Sequence, residues 1–191
     1  MSYFILYAET CIEEYAEPSD EIDVLLKSCI SSEFQYLNHD ALSVEISEES
    51  GLIFPDLILA KGAIPLISDR MKRCFDEQNV DNLFYKRITL TCNDLGKKEY
   101  YWLALPPRIN CLDFGWLDGA GYITNENQDL PLWQWSREVK EIRIISANVG
   151  RYKIFKLSGV INQEIVITKN LKDALEKEKF ENVYFQEIKE E

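Results

Sequence analysis

Two stretches of this chain repeat one another one hundred positions apart. Leu66-Ile67-Ser68 is followed by Met71, Lys72, Phe75, Val80, Asn82, Leu83, Phe84, Tyr85 and Ile88. Val166-Ile167-Thr168 is followed by Leu171, Lys172, Leu175, Phe180, Asn182, Val183, Tyr184, Phe185 and Ile188. Apolar positions match without a gap, so each copy must solve the same burial problem. Each reads as a short strand, a Ser or Thr cap, a helix of about three turns and a second strand. Met71, Cys74 and Phe75 in one helix, and Leu171, Ala174 and Leu175 in the other, fall at i, i+3 and i+4 and form one buried stripe. Two copies are too few for a solenoid, which needs three or more to bury a continuous core. Duplication of a unit and convergence on one pattern both account for the echo.

Most of the remainder is strand-like. Residues 2–9, Leu42–Ile46, Leu83–Cys92 and Glu99–Leu105 are rich in aromatic and β-branched types. The last two flank a turn-forming Asn93–Lys98 segment, a hairpin signal. Arg108–Phe114 is a short strand candidate. Val139–Ile145 and Tyr152–Leu157 alternate and are expected to pair across Asn148-Val149-Gly150, whereas 115–138 reads as irregular. A helix is expected after Pro18, capped by Ser19, with Ile22, Leu25, Leu26, Cys29 and Ile30 on its apolar stripe. The expectation is a single α+β domain, mostly antiparallel sheet with a few helices and two similar strand–helix–strand units at 66–88 and 166–188.

Charge is unevenly placed along this fold. Of 33 acidic and 21 basic residues, the first 60 positions hold 13 acids and one base, Lys27; positions 61–191 are balanced. A net charge of −12 argues against direct nucleic-acid binding, whose affinity comes largely from neutralising phosphates. The acidic first third is either a solvated surface or a docking face for a basic partner. On the second reading the contact residues are Glu13, Glu14, Glu17, Asp20, Glu21 and Asp23, then Glu48 and Glu49. Trp116, Trp133 and Trp135 either cover a core edge or serve as aromatic anchors for a partner.

Signals for covalent chemistry are sparse. His39 is the only histidine, which excludes multi-histidine metal sites, and it sits in a loop-like Asn38-His39-Asp40 context without a positioned partner. Gly119-Ala120-Gly121 has neither the third glycine nor the following helix of a phosphate loop, so it reads as a turn. The carboxylates of 9–23 lack calcium-loop spacing. Five scattered cysteines (Cys11, Cys29, Cys74, Cys92, Cys111) form no CxxC pair and read as packed, reduced thiols. No cofactor, metal or catalytic residue is expected. Tyr3–Ala8 is too short for a signal core, and no run spans a bilayer. A cytoplasmic location is therefore expected, with no membrane partner.

A family resemblance rests on a series of short motifs over about residues 55–188: Pro55-Asp56, Ile67-Ser68, Tyr100-Tyr101-Trp102-Leu103, Leu112-Asp113, Ile154-Phe155-Lys156-Leu157, Val166-Ile167-Thr168 and Asn182-Val183-Tyr184-Phe185. In order and spacing the chain resembles the immunity proteins of bacterial polymorphic toxin systems, a former domain of unknown function named for a myxobacterial member. The family usually shows Arg where Lys156 stands, a glycine near Glu181-Asn182, and a Ser just after the Asp113 position, where this chain has Phe114-Gly115-Trp116. The resemblance implies a non-enzymatic antitoxin that binds a cognate toxin domain in the producer's cytoplasm, and it transfers no catalytic residue. A basic nuclease is one partner that would suit the acidic first third. The rivals are a small cytoplasmic enzyme, a hydrolase using Asp113 or His39, and an interaction adaptor with no toxin.

Overall fold

A computed structural model describes residues 2–10, 12–19, 42–60, 64–92, 96–113, 141–160 and 163–188, and the backbone alone at 122–125 and 136–139. The helix expected after Pro18 lies outside the described residues, as do 93–95 of the 93–98 turn and the Gly119–Gly121 turn.

Twelve strands are described: β1 Tyr3–Tyr7, β2 Leu42–Glu45, β3 Leu57–Ala60, β4 Ile64–Ile67, β5 Phe84–Cys92, β6 Lys97–Leu105, β7 Arg108–Ile109, β8 Tyr122–Asn125, β9 Ser136–Val139, β10 Ile154–Leu157, β11 Ile165–Thr168 and β12 Tyr184–Ile188. Helices among the described residues are α1 Asp69–Glu77, the single turn α2 Ser146–Val149, and α3 Lys169–Glu178. Two five-stranded sheets result, ordered β2-β5-β6-β4-β3 and β12-β1-β11-β10-β7, with β8 and β9 as a separate ribbon. The fold is α+β, mostly antiparallel.

The echo is structural. In one sheet β5, β6, β4 and β3 run antiparallel in that order; in the other β12, β1, β11 and β10 do the same. Trp102 pairs with both Ile67 and Arg87, and Phe4 pairs with both Ile167 and Glu187. The N-terminal strand thus plays in the second half the part that β6 plays in the first. Each half then adds one parallel strand at an edge, β2 beside β5 and β7 beside β10.

Helix positions follow from local chemistry. Ser68 caps α1 by accepting a hydrogen bond from Met71 N at 3.1 Å, and Asp69 suits the positive helix end. Thr168 stands at the equivalent cap of α3 but makes no side-chain cap bond; at both caps the backbone N–H is held across the sheet, Ser68 N donating to Asp56 O and Thr168 N to Lys153 O. Both helices end before a residue in the left-handed region, Asn79 and Lys179, each at φ 52°. Lys72 pairs with Asp76 and lies over the rings of Tyr85 and Trp102; Lys172 pairs with Glu176 and lies over Phe4 and Phe185.

Met71, Cys74 and Phe75 of α1, with Leu171 and Leu175 of α3, meet the inner faces of both sheets in one central cluster that includes Leu57, Ile67, Ile154 and Ile167. Each sheet's outer face carries its own cluster, around Leu66 and Leu103 on one and Phe155 and Val166 on the other. Strands β3, β4, β10 and β11 are therefore buried on both faces. The halves are also stitched reciprocally. Asn82 Nδ2 donates to Ile154 O at 2.7 Å, and Asn182 Nδ2 donates to Leu57 O at 3.2 Å; Leu57 and Ile154 are themselves equivalents, opposite Ile67 and Ile167.

Two expectations are corrected. Val139–Ile145 and Tyr152–Leu157 do not form a hairpin. Ser146–Val149 coils into a helical turn closed by Gly150 at φ 61°, which sends β10 to β11 and β7 instead. Nor is 115–138 wholly irregular, because Tyr122–Asn125 pairs with Ser136–Val139.

Candidate functional site

Five of the eight acidic candidates fall along one seam. The segment 12–19 lies against the turn that follows β2, joined to it by backbone hydrogen bonds. Ala16 N donates to Ile53 O, Gly51 N to Tyr15 O, Ile53 N to Glu14 O, Ser47 N to Glu17 O, and Ser19 N to Glu45 O, all at 2.8–3.0 Å. Ala16 is buried in the outer cluster of the first sheet and pins the segment down. Glu13 and Glu14 are consequently exposed on one side of the seam, and Glu48 and Glu49 on the other, with Glu17 half-buried between. The turn holding Glu48 and Glu49 is closed by Ser50 N and Oγ, both donating to Ser47 O.

Gly51 makes this approach feasible. A Cβ at that position would lie 2.0 Å from both the carbonyl carbon and oxygen of Glu14, so only glycine lets the two backbones meet. Directly after it, Leu52 and Ile53 are 45% and 47% exposed. Lys97 flanks the seam, its ammonium bonded to Leu52 O at 3.2 Å and lying over the Phe54 ring. An exposed apolar pair with charged side chains around it has the arrangement of an apolar centre within a polar rim. Sequence reasoning missed Leu52 and Ile53 because a Glu-Glu-Ser-Gly turn hides where the next two side chains point. An apolar pair immediately after such a turn was the available signal.

Like charges crowd here. Partial burial, followed by Tyr184, Glu181, Glu14 and Glu9, raises the Tyr15 phenol above its ordinary value. Such a field draws cationic partners in and repels acidic ones. Asp20, Glu21, Asp23, His39, Trp116, Trp133 and Trp135 lie outside the described residues. Asp113, the other residue weighed for hydrolysis, sits 3.7 Å from Arg143 Nε and takes a backbone bond from its N–H to Arg143 O. Cys74 and Cys111 are buried free thiols, and Cys92 is a half-buried one. Among the described residues, no three His, Cys, Asp or Glu side chains gather in a way that could hold a metal ion, and no helix is long and apolar enough to cross a membrane.

The sequence model of the immunity protein family Imm11 matches residues 21–190 of the chain. The chain belongs to the Imm11 immunity protein family. No curated protein matches it. The family match takes in both strand–helix–strand units, together with Glu48, Glu49, Leu52 and Ile53, while Glu13, Glu14 and Glu17 precede it. An immunity protein has a toxin for a partner.

Proposed function

We propose that this chain binds the toxic domain of a cognate bacterial toxin and neutralises it by occlusion, in the cytoplasm of the cell that makes it. The observation that carries this reading is the seam of Glu13, Glu14, Glu17, Glu48 and Glu49 around exposed Leu52 and Ile53. Carboxylates steer a basic surface in, and the apolar pair gives it somewhere to seat. A nucleic-acid-cleaving toxin fits this description, since its own substrate is a polyanion. Asp20, Glu21 and Asp23, next in sequence, belong to the same contact set in this reading, and Trp116, Trp133 and Trp135 are further anchors in it. Protection needs no bond made or broken by the chain. The whole chain acts as one α+β domain, a reading supported by the central cluster that both sheets share.

The test is association kinetics with the toxin domain. Replacing Glu13, Glu14, Glu48 and Glu49 together by Gln is expected to slow association by about tenfold at low salt and to flatten its dependence on ionic strength. Unchanged on-rates and unchanged protection in cells would remove this face from the account.

A further inference from the structure

Across the end of the second sheet the acidic field meets exposed aromatic rings. Tyr7 of β1 and Tyr184 of β12 are register partners whose rings stack at 5.6 Å, and they are 38% and 37% exposed. Asn182, buried and two residues before Tyr184, grips the chain just past Tyr7: its Oδ1 accepts from Glu9 N at 2.9 Å and its Nδ2 donates to Glu9 O at 3.0 Å. On the other side of the turn, Glu181 N donates to Asp56 Oδ2 at 2.9 Å. Glu9 and Glu181 are thereby held on a rigid base, and the raised Tyr15 phenol feels both of them together with Glu14 and Tyr184.

The rings elsewhere make the contrast. Tyr100 carries Arg87 at 4.3 Å, Phe180 carries Arg70 at 4.4 Å, Phe54 carries Lys97 at 4.4 Å, and Lys72 and Lys172 each cover two more rings. No cation among the described residues lies over Tyr7, Tyr15 or Tyr184. Lys179 lines an open cleft with Tyr184 without covering its ring. Aromatic faces attract guanidinium strongly, and more so where carboxylates stand beside them to take its N–H groups.

We propose that Tyr7, Tyr184 and Tyr15, with Glu9 and Glu181 beside them, receive arginine side chains of the toxin. This rests on the toxin-binding reading above and adds a second contact region to it, one that adjoins the seam of Glu13, Glu48 and Glu49 at Tyr15. Aromatic anchors of this kind dominate interface energies, so the effect belongs mainly in the dissociation rate.

The experiment measures toxin-domain binding by surface plasmon resonance for three proteins: wild type, the Tyr7→Ser/Tyr184→Ser double variant, and the Tyr7→Phe/Tyr184→Phe double variant. Thermal melts serve as the check on folding. The expected result is a loss of about tenfold or more in affinity for the serine pair, carried by faster dissociation, and affinity within about twofold of wild type for the phenylalanine pair. Wild-type affinity in a folded serine pair overturns the proposal and leaves the toxin-binding reading standing. An equal loss in the phenylalanine pair overturns the ring-face mechanism. Absence of binding by the wild type overturns the toxin-binding reading itself. A wild-type homodimer dissolved by the serine pair overturns the assignment of these rings to a foreign arginine.

Discussion

Asn82 and Asn182 occupy equivalent positions in the two halves, yet replacing them by Ala should have very different costs. Asn82 makes one hydrogen bond across the halves, to Ile154 O. Asn182 makes three, two to the backbone of Glu9 and one to Leu57 O. Its backbone also stands at φ 57°, a region that asparagine tolerates and alanine does not. Three bonds at about 1 kcal/mol each, plus about 1 kcal/mol because alanine lacks the local side-chain bonding that lets asparagine occupy the left-handed region, give about 4 kcal/mol for Asn182→Ala. The single bond gives about 1 kcal/mol for Asn82→Ala. Asn182→Gly removes the bonds without the steric strain and should cost about 3 kcal/mol, between the two. Urea unfolding followed by circular dichroism reads these differences as midpoint shifts at constant slope. If Asn182→Ala costs no more than Asn82→Ala, the Glu9 clamp does not fasten the end of β1 to the turn before β12 in the way described.

Gly51→Ala should drive the 12–19 segment off its seam, because the new Cβ meets backbone rather than a movable side chain. A loss of about 1–3 kcal/mol and faster proteolysis near Glu13 and Glu14 are expected, and an unchanged melting temperature with unchanged proteolysis would contradict the close approach. Burial pushes the Cys111 thiol up to about 11 from an ordinary value of 9.0. The native chain then keeps a proton that the unfolded chain releases, so this contribution is whole below pH 9 and fades as pH rises towards 11, by at most about 3 kcal/mol. Cys111→Ala should show a shallower decline of stability over that range; an identical decline would show the thiol to be indifferent. Leu175→Ala in α3 should cost about 2–5 kcal/mol by opening a cavity in the cluster shared by both sheets. Calorimetry should show one cooperative transition at a lower temperature, whereas two separated transitions would mean that the halves fold independently.

The two strand–helix–strand units were legible because their burial pattern is local. Met71, Cys74 and Phe75 announce a helix face within two turns, and Phe84, Tyr85 and Ile88 a following strand. What closes each sheet was not legible. β1 lies between β11 and β12, more than 150 residues away in sequence, and nothing in Tyr3–Tyr7 specifies those partners. The pairing of Val139–Ile145 with Tyr152–Leu157 was misread because alternation indicates a half-buried strand without naming its neighbour. Lys156 shows the same gap. It sits in a strand buried on both faces, 1% exposed and beside Arg108, where a lysine in an alternating run would be expected to face water.

At the candidate site the charge was legible and the geometry was not. A count of acids along the first 60 residues locates Glu13, Glu14, Glu48 and Glu49, but only the backbone bonds between 12–19 and 45–53 bring them to a common seam. Glu9 is tied to the turn at Glu181-Asn182 by one asparagine side chain that no spacing rule anticipates. Exposure of Leu52, Ile53, Tyr7 and Tyr184 is likewise a property of tertiary packing, because the same residue types elsewhere in the chain are buried.

How toxin activity falls as this protein is added decides between covering and chemistry. Inactivation should rise in proportion to the amount of immunity protein supplied, reach completion near equivalence, and reverse when the complex is dissociated. Complete and lasting inactivation by a small fraction of an equivalent would show that the chain turns over, and the account of it as a cover would fail.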